Sequence, residues 1–223
     1  MAYAEARLLF LPTFDSDATE AHLVYSARDI AGDEAWGRIS RIADACLHQS
    51  TSPTQCVAKL TDRGTWHECV VQILKSIPLD SPHGKNQVKT ALLLNSLITL
   101  HLQTMLRGDA RSIARILDVN VDVCQRFLDL FSTAMGSGRD ARYATSKSNK
   151  DKCRVHILLL YVMAQGGRTM KVGTIKPIVD ILKMDMTEAA HLLREAGFTV
   201  KGASAALEVP LTFPPPKRGS KAK

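Results

Sequence analysis

The chain has 223 residues, of which 45% are hydrophobic and 5% aromatic, and its net charge is +7 at pH 7. This length accommodates one large domain or two small ones with their own cores. The scarcity of aromatic side chains argues against binding of single-stranded nucleic acid on an aromatic platform. The longest apolar run, Ala91 to Leu102, is interrupted by polar residues and is too short to span a membrane. We therefore expect no membrane association.

The positive charge is concentrated in the C-terminal part of the chain. Residues 139–223 contain sixteen Lys or Arg against seven Asp or Glu, whereas the preceding residues are slightly acidic. Such a basic module indicates a polyanion partner, for example nucleic acid. The alternative is a generic basic surface that keeps the protein in solution. The five cysteines form no CxxC pair, which favours a reduced intracellular chain over a disulfide framework.

Residues 1–32 are predicted to form an extended arm. Its apolar residues include the run that ends at Pro12 and those of a short segment from Ala18 to Tyr25. These residues are too apolar to stay in water, so the arm is expected to pack on a surface. The sequence leaves open whether that surface belongs to the same chain or to a partner.

Residues 33–146 are predicted to form a first helix-turn-helix unit with accessory N-terminal helices. The accessory part includes an amphipathic helix over residues 33–49. The unit itself consists of a long helix from Lys85, a second helix after Asp109 and a third from Val121. A short β-like piece, residues 141–144, is the only sign of a wing, so this winged helix is predicted to have a reduced one.

Residues 147–214 show the same order of elements with a fuller wing. A helix with the apolar positions Val155, Leu158 and Leu159 ends at Gly166. A short strand, two further helices and a β-hairpin follow, which is the order of a winged helix. The alternative is an ordinary α+β subdomain without a ligand.

The third helix of this second unit is predicted from its ends. Asp185 and Glu188 have the spacing of a capping box at its start, and Gly197 is placed to end it. The sequence thus predicts a mainly α fold with small β wings, a tandem winged helix preceded by an extended arm and accessory helices. Residues 215–223 are predicted to be a basic, disordered tail, either a solvated terminus or a phosphate contact or nuclear address.

No motif for catalysis or cofactor binding is present. The sequence has no GxGxxG, GxxxxGK[ST] or GxSxG motif. His67, Glu68 and Cys69 are adjacent and would point in different directions on a helix. Cys153 and His156 could share a helix face, but a buried thiol beside an imidazole is the better interpretation. We expect a non-catalytic protein with no cofactor, no metal and no small-molecule substrate.

DNA binding is the favoured hypothesis, although not through a recognition helix. In a major-groove reader the last helix of the helix-turn-helix carries side chains to base edges. Here the outward positions of that helix are mixed in charge in both units. The candidate DNA-binding residues lie in the connector, at the start of the second unit and near its wing: Arg139, Arg142, Lys147, Lys150, Lys152, Arg154, Arg168, Lys171, Lys176 and Lys201. This layout predicts weak, salt-sensitive contact with the DNA backbone, without base readout. The alternative is contact with acidic protein surfaces.

Short segments at the two ends of the chain carry a family resemblance. They are Leu11-Pro12, Ala18-Thr19, Val24-Tyr25 and Pro210-Leu211-Thr212-Phe213-Pro214. They resemble the C-terminal half of the forty-nine-kilodalton, PAF-type subunit family of RNA polymerase I, where an LP…AT…VY arm leads into the fold. The run KDKCRVHILLLYVMA stands where that family begins its second unit. The resemblance covers nearly the whole chain, the middle by pattern more than by identity.

The resemblance implies a tandem winged-helix domain similar to that of the β subunit of general transcription factor IIE. In that family the domain is non-catalytic, binds DNA beside other RNA polymerase I subunits, and supports initiation and elongation on ribosomal RNA genes in the nucleolus. The family's β-rich dimerisation module, which pairs with a smaller subunit, has no counterpart here, so that pairing is not implied. The runner-up interpretation is a winged-helix protein-interaction module in another complex. A stand-alone DNA-binding regulator is a third.

Overall fold

The computed structural model describes residues 7, 9–50, 52–62, 64–79 and 81–215, with only the backbone at residue 139. Within these residues the fold is mainly helical, with two small antiparallel sheets. The prediction of a mainly α fold with small β elements is therefore confirmed. The predicted basic tail, except for its first residue, lies outside the described residues. None of the described helices is both long and apolar enough to cross a membrane.

Between residues 21 and 76, the described part of the chain contains five helices. They are α1 (Ala21–Val24), α2 (Ala27–Ala31), α3 (Asp33–His48), α4 (Pro53–Thr61) and α5 (Glu68–Ser76). Two of them begin at a serine, because the Ser26 and Ser52 side chains accept hydrogen bonds from backbone N–H groups in the first turn. Helices α1 and α2 lie where the sequence pattern predicted an extended arm, so that segment is only partly extended.

The next elements form a helix, strand, helix, helix, strand, strand series. They are α6 (Pro82–His101), β1 (Leu106–Arg107), α7 (Ala110–Leu117), α8 (Val121–Phe131), β2 (Thr133–Met135) and β3 (Arg142–Ala144). Asp109 and Asn120 cap α7 and α8, and the tight turn between the two helices uses Asp118 in the left-handed conformation. The three strands form an antiparallel sheet in the order β1-β3-β2. Only one β-like piece was predicted here, since strands of two or three residues leave little alternation to detect.

The same series then occurs a second time. Its elements are α9 (Lys147–Gly166), β4 (Lys171–Val172), α10 (Lys176–Ile181), α11 (Met186–Glu195), β5 (Phe198–Lys201) and β6 (Ser204–Leu207). Strands β4, β5 and β6 form an antiparallel sheet in the order β4-β6-β5. Asp185 caps α11 as predicted, because its carboxylate accepts from the Thr187 N–H. Glu188 forms no capping box and instead accepts a hydrogen bond from Arg154.

Helix α9 is the centre of the molecule. Its residues from Val155 to Val162 are all buried, including polar His156, so the helix is surrounded by protein on every side. It packs most extensively against α6, the first helix of the preceding series. As a result, one continuous cluster of buried side chains runs through both series and the N-terminal helices.

The N-terminal segment packs on the same chain. The hydroxyl of buried Tyr25 donates a hydrogen bond to the Ala196 carbonyl at the end of α11, at 2.9 Å. The ring of Phe14 lies edge-on to that of Phe213, with 5.2 Å between centroids. The guanidinium of Arg7 lies 4.4 Å from the centre of the Phe213 ring. The segment therefore joins the two ends of the chain over the second series.

Candidate nucleic-acid interface

The outer face of α11 is occupied by contacts within the chain. Arg154 of α9 donates to Glu188 at 2.8 Å. Arg194 donates to the Val200 carbonyl of β5 at 3.3 Å. Glu195 pairs with Arg7 of the N-terminal segment at 3.4 Å. A helix whose polar residues are bonded to neighbouring elements has few groups left for base edges.

The equivalent helix of the first series, α8, is covered by the N-terminal helices. Asp122 forms an ion pair with Arg38 of α3 at 3.2 Å. The Arg126 guanidinium donates to two backbone carbonyls of α2, those of Asp29 and Ile30. Both helices that would read a major groove are thus engaged with their own chain.

Three of the candidate cations lie together at the start of α9. Arg142, Lys147 and Lys150 are exposed, and the two lysines are three residues apart, so they are neighbours on the helix surface. The first turn of α9 contains no acidic residue. Because the N-terminus of a helix carries a partial positive charge, lysines at this position reinforce an attraction for anions.

Arg107 belongs to the same group, although the sequence did not reveal it. In the β1–β3 register Arg107 lies directly opposite Arg142, and both side chains are exposed. Like charges at directly opposed positions are unfavourable unless an anion lies between them or near them. We call Arg107, Arg142, Lys147 and Lys150 the connector cluster.

A second group of exposed candidates surrounds the sheet of the second series. Lys171 of β4 and Lys201 of β5 lie on its solvent side, and Lys176 begins α10 beside the loop that joins β5 to β6. We call these three the wing cluster. They follow the C-terminal end of α9, whose 20 residues correspond to an axial length of about 30 Å. The two clusters therefore lie near opposite ends of the central helix.

The remaining candidate DNA-binding residues belong to neither the connector cluster nor the wing cluster. Arg154 has a side chain only 13% exposed and is paired with Asp151 and Glu188. Arg168 makes a two-pronged contact with Glu20, at 2.9 and 2.7 Å, and the pKa of Glu20 is lowered mainly by that hydrogen bond. The side chain of Arg139 lies outside the described residues.

Lys152 points away from the connector cluster. It lines a depression on the other side of α9, together with Arg7 and Glu195. Burial lowers the pKa of Lys152, and the nearby positive charge of Arg126 contributes in the same direction. A lysine in this setting is less suited to phosphate contact than exposed Lys147 or Lys150.

A cleft of about 750 Å³ lies next to the connector cluster. Its walls come from the end of α6, the first sheet, the start of α9 and the end of α10. The basic residues that line it are Arg142, Lys150, Arg154 and Lys183. Apolar side chains also line it, and His101 lies among them with its pKa lowered to about 4, mainly by burial and then by the charges of Arg154 and Lys150.

In the described part of the chain, no three His, Cys, Asp or Glu side chains are grouped to hold a metal ion. His156, next to Cys153 on α9, is a core residue. Its Nδ1 lies 2.8 Å from the Lys152 carbonyl, and its ring packs on Phe131. All five cysteines are free and buried.

Comparisons with known proteins give the family of the chain. A sequence model of the A49-like RNA polymerase I associated factors matches residues 1–221. A mouse protein described as DNA-directed RNA polymerase I subunit RPA49 is 26% identical over 101 residues, which is 45% of this chain and 20% of the mouse protein. The matched part is thus about a fifth of that relative's length. The family match extends over nearly the whole chain, which therefore belongs to the A49-like RNA polymerase I associated factors.

Proposed function

We propose that this chain is a non-catalytic domain of RNA polymerase I that binds the DNA backbone largely without sequence specificity. The observation that carries the proposal is the connector cluster. Exposed Arg107 and Arg142 face each other on the strand pair that precedes α9, and exposed Lys147 and Lys150 lie at the start of that helix, whose first turn contains no acidic residue. Such an arrangement attracts phosphate groups.

The proposal includes the architecture of a tandem winged helix. Each series of helix, strand, helix, helix, strand, strand ends in a three-stranded antiparallel sheet, which supports that assignment. We divide the chain into an arm over 1–32, a first unit over 33–146 and a second unit over 147–214. The arm and the accessory helices stabilise the two units by covering α8 and α11.

Contact with the DNA backbone is favoured over base readout, because α8 and α11 use polar side chains for contacts within the chain. Asp122 and Arg126 of α8 bond to α3 and α2, and Glu188 and Arg194 of α11 bond to α9 and β5. The exposed cations of the connector and wing clusters lie outside these two helices. Phosphate contacts from such clusters position a duplex but carry no sequence information.

Membership of the family supports the proposed role in transcription. The matched relative is by its name a subunit of RNA polymerase I, so we propose that this chain associates with other subunits of that enzyme. Its place of action is then the nucleus, and within it the nucleolus. There it supports initiation and elongation of ribosomal RNA transcription without contributing catalytic residues.

DNA affinity and its salt dependence test the proposal. The purified chain should bind fluorescein-labelled duplexes of unrelated sequence with similar affinities. The logarithm of the binding constant should fall with the logarithm of salt concentration by about 0.9 per phosphate contact. Reversing three cations, in Arg142→Glu/Lys147→Glu/Lys150→Glu, should weaken binding to every duplex by about tenfold or more and reduce the slope by about three units.

A matched variant controls for the change in net charge. Arg41, Lys59 and Lys75 are exposed on the accessory helices, and their reversal to glutamate changes the charge by the same amount. This control should retain most of the affinity. An equal loss of DNA affinity in both variants would mean that net charge alone explains the effect. If the chain bound no duplex at low salt, a protein-interaction module would be favoured. A sequence-selective footprint would instead indicate a regulator.

A further inference from the structure

The cleft beside the connector cluster is lined by both apolar and basic side chains, whereas contact with a DNA backbone requires only the basic ones. Leu102, Met105 and Met135 line it and are 39%, 53% and 60% exposed. Around them lie Arg142, Lys150 and Lys183. Methionine side chains are flexible and adapt to apolar partners, so two exposed methionines in one cleft suit such a contact.

The charge of the cleft is entirely of one sign. Among the described side chains that line it there is no aspartate or glutamate. Asp151 and Glu188 lie nearby but do not line the cleft, and both carboxylates are held in ion pairs by Arg154. His101 adds no charge at neutral pH, because burial and the charges of Arg154 and Lys150 lower its pKa to about 4. An occupant is therefore expected to be acidic.

The apolar side chains that line the cleft favour an acidic peptide over single-stranded nucleic acid as its occupant. Single-stranded nucleic acid binds on exposed aromatic platforms, and the aromatic residues in the lining are buried Phe127 and half-buried Tyr143. An acidic peptide, in contrast, can place a bulky apolar side chain against Met105 and Met135 while its carboxylates meet the surrounding cations. The volume of about 750 Å³ exceeds what one side chain fills.

We propose that this cleft is a docking site for an acidic peptide segment of a partner protein, anchored by one or two bulky apolar side chains. The apolar part of the site adjoins the connector cluster, because Met105 Sδ accepts a hydrogen bond from Arg107 Nε at 2.9 Å and Met135 lies opposite Arg142 in the β2–β3 register. The site shares Arg142 and Lys150 with the connector cluster. Occupation by the peptide is therefore expected to compete with the duplex for these two cations.

Two synthetic peptides of equal charge test the proposal by fluorescence anisotropy. One consists of aspartate and glutamate with a phenylalanine and a leucine, and in the other these two residues are serine. The apolar-containing peptide should bind about tenfold more tightly or better, because it buries two large side chains. Equal affinities would overturn the proposal, since only nonspecific attraction between charges would then remain.

A charge-neutral variant separates this site from the proposed DNA function. Met105→Ser/Met135→Ser alters no charge, although the two methionines neighbour Arg107 and Arg142. It should abolish the preference for the apolar-containing peptide, while the affinities for the serine-containing peptide and for the duplex both stay within about twofold. Both methionines are more than half exposed, so the fold should tolerate the change. The control is Leu23→Ser/Ile42→Ser, which alters exposed apolar residues outside the cleft and should retain the preference. Retention in the methionine variant would refute the proposed site, whereas absence of duplex binding alone would refute only the DNA function.

Methionine methyl NMR locates the contact directly. In protein labelled at the methionine methyl carbons, the apolar-containing peptide should shift the Met105 and Met135 signals and leave that of buried Met170 in place. Oligothymidylate is the comparison ligand. If it shifts the two cleft signals and the peptide does not, the cleft accepts single-stranded nucleic acid and the peptide proposal is wrong.

Discussion

Arg154 lies near the polar end of α9, where the sequence pattern predicted a DNA contact. Its guanidinium instead joins Asp151 of its own helix to Glu188 of α11, at 3.2 and 2.8 Å. The side chain is largely buried, so its charge stabilises the packing of α11 on α9. A single cation can thus look functional in a sequence and be structural in the fold.

Reversal of this charge should therefore act on stability. In Arg154→Glu three carboxylates would lie together, and we expect the free energy of unfolding to fall by about 1–3 kcal/mol, less than for a fully buried pair because Glu188 is partly exposed. Urea unfolding measures it. The control, Lys150→Glu on the exposed face, should cost less than about 0.5 kcal/mol. Unchanged stability in the Arg154 variant would return this residue to the candidate DNA contacts.

His156 gives a second prediction at the same scale. Its pKa is lowered to about 3, mainly by burial, against Phe131 and near the charges of Lys152 and Arg126. In the unfolded chain its pKa returns to about 6.5. Between these values the unfolded chain binds a proton that the folded chain does not. The free energy of unfolding should therefore fall as the pH drops below about 6.5, by about 1.4 kcal/mol per pH unit.

The histidine dependence can be isolated by substitution. His101, with its pKa lowered to about 4, adds to the same trend, so the wild-type slope should exceed that of one residue. His156→Asn keeps an N–H donor near the position of Nδ1 but does not titrate. This variant should be less stable at neutral pH and lose about 1.4 kcal/mol per pH unit of the slope between about pH 6 and pH 4.5. Identical slopes in the two proteins would contradict the assignment.

At the scale of elements, sequence patterns predicted helix positions and helix caps, because both depend on residues close together in the chain. Apolar periodicity located α9, and the capping role of Asp185 was expected from its position. The pairing of Arg107 with Arg142 could not be expected, because it depends on which short strands become neighbours. Likewise, the pairing of exposed Arg168 with Glu20, a residue far away in the sequence, could not be expected. The sequence therefore identified the basic residues but not the side chains that lie beside them in the fold.

The N-terminal segment illustrates the same limit. Its apolar residues predicted that it must pack on a surface, and the segment does lie on its own chain. The choice of surface depends on a hydrogen bond from Tyr25 to the end of α11 and on the contact between Phe14 and Phe213. No pattern within residues 1–32 contains that information. The two short helices α1 and α2 were missed because four or five residues are too few to establish a helical period.

At the scale of the whole molecule, the two series of elements share a core. Helices α6 and α9 are the first helices of the two series and are each other's main neighbours. The buried cluster continues from the N-terminal helices into the second sheet. A rigid connection of this kind fixes the distance between the connector and wing clusters. A duplex bound along both would therefore meet a preformed surface, which lowers the entropic cost of binding.

The shared core predicts a single unfolding transition. Leu159 is fully buried at the centre of α9, so Leu159→Ala should lower the free energy of unfolding by about 2–5 kcal/mol. Both tryptophans, Trp36 and Trp66, lie in the N-terminal half, and their fluorescence should shift to lower urea concentration together with the circular dichroism signal. Hydrogen exchange of β5 and β6 should report the same loss. If the tryptophan transition stayed in place while β5 and β6 lost protection, the two units would be independent domains and the surface between the clusters would not be preformed.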